Sequence, residues 1–218
     1  MSGPADLHRQ NAKVLRSWAK QARRYDKSIE FFERRVFGRE HRAWACSQAS
    51  GRTLEVAVGT ALNLVHYPQD IVLTGIDLSP EMLAIARARA KELGRETNFR
   101  EGDAHRLPCS DDSFDTVVCT YSLCNIPDPH QAVSEMARVL RPGGTLILVD
   151  HIRSAVQPVL WLQKAIEFFS RRFEGEHLTR RPSTHVATGG FDIVEKEQLA
   201  PAGIVERLVA IKRPGDSS

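Results

Sequence analysis

The stretch TLEVAVGTALNLV, residues 53–65, decides the fold, because an apolar, β-branched run passes directly into a turn of small residues. Residues 53–58 suit a strand that is buried on both faces, and residues 61–65 suit the start of a helix. Residues 71–78 (IVLTGIDL) form a second run of the same kind. Ser79-Pro80-Glu81 then supplies a cap, a first-turn proline and an acid for a helix. Strands that alternate with helices predict a parallel sheet.

The same alternation continues outward to the end of the chain. Further strands are predicted at residues 98–102, 114–120, 145–151, 191–198 and 204–212, and further helices at residues 128–140 and 155–172. The last two strands fit an antiparallel hairpin, whereas residues 173–190 look loop-rich. We therefore expect an α/β fold with a doubly wound sheet of about seven strands, mostly parallel, with an antiparallel C-terminal hairpin.

The first 50 residues have a different hydrophobic pattern from the rest of the chain. Apolar side chains recur at steps of three and four from Val14 to Val36, which predicts helices. We expect an N-terminal helical cap at residues 1–50, one globular domain at residues 51–213 and a frayed tail at residues 214–218.

Composition limits the class of protein. The chain has 218 residues, of which 42% are hydrophobic and 26% charged, as in one folded domain. It contains no apolar run of about 18 residues and no apolar N-terminal region, so we expect neither a transmembrane helix nor a secretory signal. The four cysteines lack the paired spacing of zinc sites and are too few for a disulfide scaffold. They predict a cytoplasmic protein without a metal site.

The net charge of +3 is unevenly distributed. Residues 1–42 contain 11 cations and 5 anions, so this basic arm carries +6 and the remaining chain −3. Such asymmetry favours contact with an anionic partner, and peripheral contact with an anionic membrane is one possibility. Nucleic acid is not expected as a partner, because no recognised RNA motif or second basic region accompanies the arm.

Three features fall at the carboxyl ends of predicted strands, where open α/β sheets bind their ligands. Small residues around Gly59 let backbone N–H groups approach a ligand closely. Asp77 ends the second strand, where a carboxylate can accept two ribose hydroxyls, and Asp103 follows the third, where one can accept an adenine amino group. The loop alone is also compatible with a tight turn, but the ordered set predicts a cofactor site.

Five stretches in order resemble class I S-adenosylmethionine-dependent methyltransferases, a family with a Rossmann-like fold. They are residues 54–63 (LEVAVGTALN), 75–82 (GIDLSPEM), 101–107 (EGDAHRL), 113–120 (SFDTVVCT) and 137–146 (ARVLRPGGTL). Within the family, the chain resembles menaquinone and ubiquinone C-methyltransferases, bacterial phosphatidylethanolamine N-methyltransferases and thiol S-methyltransferases. The resemblance implies that S-adenosyl-L-methionine is the cofactor and S-adenosyl-L-homocysteine the product. The acceptor would be a small or lipophilic thiol, amine, hydroxyl or ring carbon.

The resemblance also implies residue roles. The loop after the first strand would hold the methionine moiety, Asp77 the ribose and Asp103 the adenine, while Tyr25 would reach the cofactor carboxylate. The full implied set is Tyr25, Glu55, Ala57, Val58, Gly59, Thr60, Asn63, Asp77, Leu78, Met82, Asp103, Ala104 and Thr120. The family usually has glycine where this chain has Ala57 and Ala61, and we expect negative φ at both, because alanine disfavours positive φ.

Methyl transfer from a sulfonium is an in-line displacement that needs mainly alignment, and a base only if the acceptor is protonated. His151 ends the fifth strand and is the candidate base, with Asp150 either orienting it or capping a turn. Tyr121 is the second catalytic candidate, after the fourth strand. Both side chains are also compatible with structural roles.

Three functions therefore remain under consideration. The first is a methyltransferase for a small or lipophilic acceptor, of which a phospholipid N-methyltransferase at the membrane surface is a variant. The second is a nucleic-acid-binding or RNA-modifying protein, which only the basic arm favours. The third is a catalytically dead cofactor-binding module, suggested by Ala57 and Ala61.

Overall fold

A computed structural model describes residues 10–12, 15, 26, 29, 38, 40–154, 156–173, 181–199 and 201–215. Among these residues, seven strands form one sheet in the order β3-β2-β1-β4-β5-β7-β6. They are β1 (Arg52–Val56), β2 (Val72–Asp77), β3 (Asn98–Glu101), β4 (Phe114–Thr120), β5 (Leu140–His151), β6 (Phe191–Leu199) and β7 (Val205–Lys212). The strands from β3 to β5 pair in parallel, and β7 pairs antiparallel with both β5 and β6. This confirms the predicted fold class.

Along the chain, one helix named below precedes β1 and the others connect strands. They are α1 (Glu40–Ser47), α2 (Pro80–Glu92), α3 (Pro129–Val139), α4 (Gln157–Phe173) and α5 (Pro182–Thr188), with 3₁₀ turns at Leu62–His66 and Pro201–Gly203. Ser79 caps α2 as predicted, because its side chain accepts a hydrogen bond from the backbone N–H of Met82. Most of the predicted N-terminal cap, including Tyr25, lies outside the described residues.

Helix α5 corrects the prediction of a loop-rich stretch at residues 173–190. The sequence signal is weak because the helix has only 7 residues. Its first turn is stabilised from β7, where the carboxylate of Glu206 accepts hydrogen bonds from the backbone N–H and the hydroxyl of Ser183, both at 3.1 Å. Ser183 and Glu206 are far apart in the sequence, so the local sequence does not predict this contact.

The core lies on both faces of the sheet. Val117 and Val118 are neighbours in β4 and point to opposite faces, yet both are fully buried. Each belongs to a different core cluster. Because the strands are buried on both faces, their sequences are continuously apolar. Polar side chains that could bind a ligand are therefore expected at the carboxyl edge of the sheet. Among the described residues, no helix is long and apolar enough to cross a membrane.

Candidate active site

A pocket lies at the carboxyl ends of β1 to β4. It is lined by Asn11, Val56, Ala57, Gly59, Ile76, Asp77, Leu78, Met82, Gly102, Asp103, Ala104, His105, Tyr121, Ser122, Asn125, Ile126 and Pro127. Of the predicted site residues, the pocket brings together Ala57, Gly59, Asp77, Leu78, Met82, Asp103, Ala104 and Tyr121. The other described residues of the predicted set do not line this pocket; they are Glu55, Val58, Thr60, Asn63, Thr120 and His151.

The loop after β1 adopts left-handed backbone conformation at alternate residues. The φ angles are 56° at Ala57, 56° at Gly59 and 58° at Ala61, so the expectation of negative φ at both alanines was wrong. The loop is held in this shape by backbone hydrogen bonds from Val58 to Ile76 (3.0 Å) and from Ala61 to Val58 (2.9 Å). A Cβ atom at Gly59 would meet nothing within 4 Å, so the pocket is open at this point of the loop.

We predict that Ala57→Gly stabilises the protein by about 1 kcal/mol, because glycine adopts positive φ without the steric cost that alanine has. Ala86 is the matched control, since it is fully buried inside α2 and has no positive φ. Ala86→Gly should lower the free energy of unfolding by about 1 kcal/mol. Urea denaturation measures both changes, and equal destabilisation by the two substitutions would contradict the loop conformation.

Asp77 links the loop to the helix that follows β2. One carboxylate oxygen accepts the backbone N–H of Gly59 and the other accepts that of Ser79, both at 2.8 Å. Burial raises the pKa of Asp77, and the hydrogen bonds from Ser79 and Gly59 counteract this. Each oxygen keeps a further lone pair, so the carboxylate can accept two hydroxyl groups from a ligand.

Asp103 is oriented by a histidine that the sequence reasoning missed. His105 Nε2 accepts the backbone N–H of Asp128 at 3.1 Å, so its proton lies on Nδ1, which donates to Asp103 Oδ1 at 2.6 Å. The side-chain N–H of Asn11 donates to Asp103 Oδ2 at 2.6 Å. Although partial burial acts to raise the pKa of Asp103, the hydrogen bonds from His105 outweigh it and hold the pKa below its usual value.

Glu55, Asn63 and Thr120 form a buried network behind the pocket, centred on Arg42 of α1. Arg42 Nη1 donates to Asn63 Oδ1 (2.9 Å) and to Thr120 Oγ1 (3.0 Å). The Asn63 amide in turn donates to Glu55 Oε1 (2.8 Å) and Thr120 Oγ1 (2.9 Å). Burial raises the pKa of Glu55 to about 7, although Tyr67 and Arg42 partly oppose the rise. The network therefore fixes α1 against the ends of β1 and β4.

Both catalytic candidates adjoin this network. The Arg42 guanidinium carbon lies 4.9 Å from the centroid of the Tyr121 ring, and the His151 ring lies 4.8 Å from the same ring, centroid to centroid. Burial, and secondarily the charge of Arg42, lowers the pKa of His151 to about 3. The imidazole is therefore neutral near pH 7 but a weak base.

Asp150 caps a turn and holds the chain that follows β4. Its carboxylate accepts the backbone N–H groups of Cys124 (2.9 Å) and of His151 (2.7 Å). Burial raises the pKa of Asp150 to about 6, although hydrogen bonds from Cys124 and His151 act against the rise. Of the two roles offered for Asp150, these contacts support capping.

Val58 and Thr60 are buried within the loop itself. The Thr60 hydroxyl donates to Asp26 Oδ1 at 2.6 Å, and Asp26 also pairs with Arg89 of α2. Thus Asp26, the residue after Tyr25, connects the N-terminal segment to the loop. This contact, like those of Asn11 and His105, depends on residues distant in sequence, so no local motif could reveal it. Within the described part, no group of three acidic, histidine or cysteine side chains could hold a metal ion.

Comparison with known proteins agrees with this geometry. The family model described as a methyltransferase domain matches residues 54–148. A phosphatidylethanolamine N-methyltransferase from Cereibacter sphaeroides is 38% identical over 156 residues, which cover 71% of this chain and 76% of the relative. A demethylmenaquinone methyltransferase from Deinococcus radiodurans is 37% identical over 143 residues, 63% of this chain but only 59% of the relative.

Among solved structures, a SAM-dependent methyltransferase from Thermotoga maritima has a TM-score of 0.68 at 23% identity, covering 90% of this chain and 100% of that one. Fold and sequence together define the class I methyltransferases, which use S-adenosylmethionine. The chain belongs to this family, and it is a methyltransferase.

Proposed function

We propose that the chain transfers the methyl group of S-adenosyl-L-methionine to the nitrogen of an aminophospholipid headgroup such as phosphatidylethanolamine. The pocket residues fit this cofactor, because two carboxylates, Asp77 and Asp103, line the same pocket as the loop, which is open at Gly59. When bound, the cofactor supplies a methyl group on a sulfonium, activated for in-line displacement. The chain itself has to position the accepting atom and control its protonation.

The observation that carries the proposal is the positive charge of Arg42 beside Tyr121 and His151. With its pKa lowered to about 3, His151 is too weak a base to deprotonate a hydroxyl or a ring carbon near pH 7. The same charge favours the neutral form of a nearby amine over its ammonium form. A neutral amine attacks through its lone pair without prior help from a base, so this environment suits N-methylation.

Two further observations support a lipid acceptor. The sequence similarity to the phosphatidylethanolamine N-methyltransferase extends over three quarters of that relative. In addition, Trp161 on α4 is 72% exposed and Val156 is 45% exposed, with exposed Arg153 and Lys164 close by in sequence. Aromatic, apolar and basic side chains in combination are typical of contacts with a membrane surface. The basic arm would add attraction to anionic lipid.

A second candidate is S-methylation of a thiol, which Arg42 also favours. A nearby positive charge lowers the pKa of a thiol and increases its thiolate fraction, and the thiolate is the nucleophile. The sequence resembles thiol S-methyltransferases as well, so the experiment must separate the two acceptors.

The test is transfer of labelled methyl groups from the cofactor to three acceptors in parallel. They are vesicles of phosphatidylethanolamine with an anionic lipid, a small alkyl thiol and a hydroquinone. We expect label in the phospholipid headgroup, at a rate at least tenfold above the other two acceptors. Label in the thiol alone would support the second candidate and contradict the first, and label in the hydroquinone would contradict both.

A further inference from the structure

We propose that the side chain of Asn125 recognises the N–H groups of the accepting amine and thereby favours the less methylated headgroups. This inference rests on the proposed function and identifies the residue that would select among its acceptors. It concerns the wall of the pocket formed by residues 121–127, which follow β4.

The wall segment has a defined shape. Tyr121 has a left-handed backbone conformation, with φ of 52°, and its backbone N–H donates to Val149 O at 2.7 Å. The backbone N–H of Asn125 donates to Ser122 O at 2.9 Å, and Asp150 holds the N–H of Cys124. Because these hydrogen bonds hold both ends of the segment, the side chain of Asn125 has a fixed position in the pocket lining.

The side-chain oxygen Oδ1 of Asn125 is buried, and it accepts no hydrogen bond within the described part of the chain. Other polar side chains of the pocket differ. Asp77 and Asp103 already accept hydrogen bonds on both oxygens, and the Ser122 hydroxyl donates to Thr120 O at 2.9 Å. Buried amide oxygens nearly always have a partner. The χ2 torsion of asparagine, which turns the side-chain amide group, has a broad distribution. Rotation about χ2 therefore allows a ligand in the pocket to supply the donor to Asn125 Oδ1.

The position of Asn125 favours the methyl acceptor over the cofactor as its partner. Asp77 and Asp103 lie at the ends of β2 and β3, on one side of β1, and would take the ribose and adenine donors. Asn125 follows β4, on the other side of β1, and shares its segment with Tyr121, which contacts Arg42 and His151. We therefore assign the missing donor to the methyl acceptor, which would bind at the end of the pocket beside Tyr121.

The transfer itself requires no proton at Asn125. The nitrogen lone pair forms the new N–C bond while the S–C bond breaks and the sulfur keeps its electron pair as a neutral thioether. After each of the first two transfers a proton of the resulting ammonium passes to water, whereas the third transfer gives a quaternary ammonium with no proton to lose. Before each transfer, the neutral primary amine has two N–H groups, the monomethyl amine one and the dimethyl amine none. A hydrogen bond to Asn125 can thus assist the first two transfers but not the third.

The experiment measures kcat/KM for vesicles that contain the unmethylated, monomethylated or dimethylated phospholipid. For Asn125→Leu, which keeps the size but removes the amide, we expect about a tenfold loss with the first two acceptors and no change with the third. Asn125→Ala serves as a second variant without added bulk. Ser122→Ala is the matched control on the same segment, and it should affect all three acceptors equally. The affinity for S-adenosyl-L-homocysteine should not change in the Asn125 variants.

Two results would overturn the inference while leaving the proposed function intact. One is an equal loss with all three acceptors, which would indicate a structural role for Asn125. The other is a tenfold loss of affinity for S-adenosyl-L-homocysteine, which would place the missing donor on the cofactor. Failure of the unmodified protein to methylate any of the three phospholipids would overturn the proposed function, and this inference with it.

Discussion

Asp77→Ala is expected to lower the affinity for S-adenosyl-L-homocysteine by about a hundredfold, which corresponds to loss of two charge-assisted hydrogen bonds of about 1.5 kcal/mol each. We propose that the buried carboxylate accepts the two ribose hydroxyls through the lone pairs not used by Gly59 and Ser79. Isothermal titration calorimetry measures the affinity. Asp77→Asn should also weaken binding, because its amide N–H₂ group would face the backbone N–H of Gly59 or of Ser79.

The matched control is Asp70→Ala, which removes an exposed carboxylate from the turn before β2. It should leave the affinity within a factor of two. Thermal unfolding without ligand separates loss of binding from loss of fold. If Asp77→Ala folds and binds S-adenosyl-L-homocysteine as tightly as the unmodified protein, then Asp77 is not part of the cofactor site. That result would support the alternative of a catalytically dead module that binds its ligand elsewhere.

Arg42→Met is expected to lower the free energy of unfolding by about 3 kcal/mol, because it removes one partner from a buried charged network. Asn63 and Thr120 would each lose a hydrogen bond from the guanidinium, and Glu55 would lose a nearby positive charge. Denaturant unfolding measures the change. The pKa of His151 should rise in the variant, although burial, the larger cause of its low value, persists.

Arg141→Met is the control, since Arg141 forms a surface ion pair with Asp115 and its side chain is 52% exposed. It should change the free energy of unfolding by less than about 1 kcal/mol. An NMR titration of the imidazole follows the second effect. An unchanged pKa of His151 in Arg42→Met would contradict the electrostatic basis of the proposed acceptor class.

The fold was largely predictable because its signals are local. Strands buried on both faces need continuous apolar runs, and β4 occupies residues 114–120, as the sequence predicts. The carboxylates at the ends of β2 and β3 were predictable for a similar reason, since a parallel sheet brings its carboxyl ends to one edge. These features require only short stretches of chain and the topology rules that connect them.

The remaining features depend on contacts that local sequence does not contain. Arg42 belongs to the basic arm by sequence, yet it is only 7% exposed, because α1 packs it against Asn63 and Thr120. The positive φ of Ala57 is imposed by the loop and runs against the preference of alanine. His105 orients Asp103 only because α3 brings the backbone N–H of Asp128 to its ring.

A crystal structure of the chain with S-adenosyl-L-homocysteine would test the central claim most directly. The predicted result places the ribose hydroxyls on the carboxylate of Asp77 and the adenine amino group on that of Asp103, where it would take the place of the Asn11 amide as the donor to Oδ2. The sulfur should then face the segment from Tyr121 to Asn125. Ligand bound outside this pocket, or bound within it with Asp77 and Asp103 making no contact, would contradict the account.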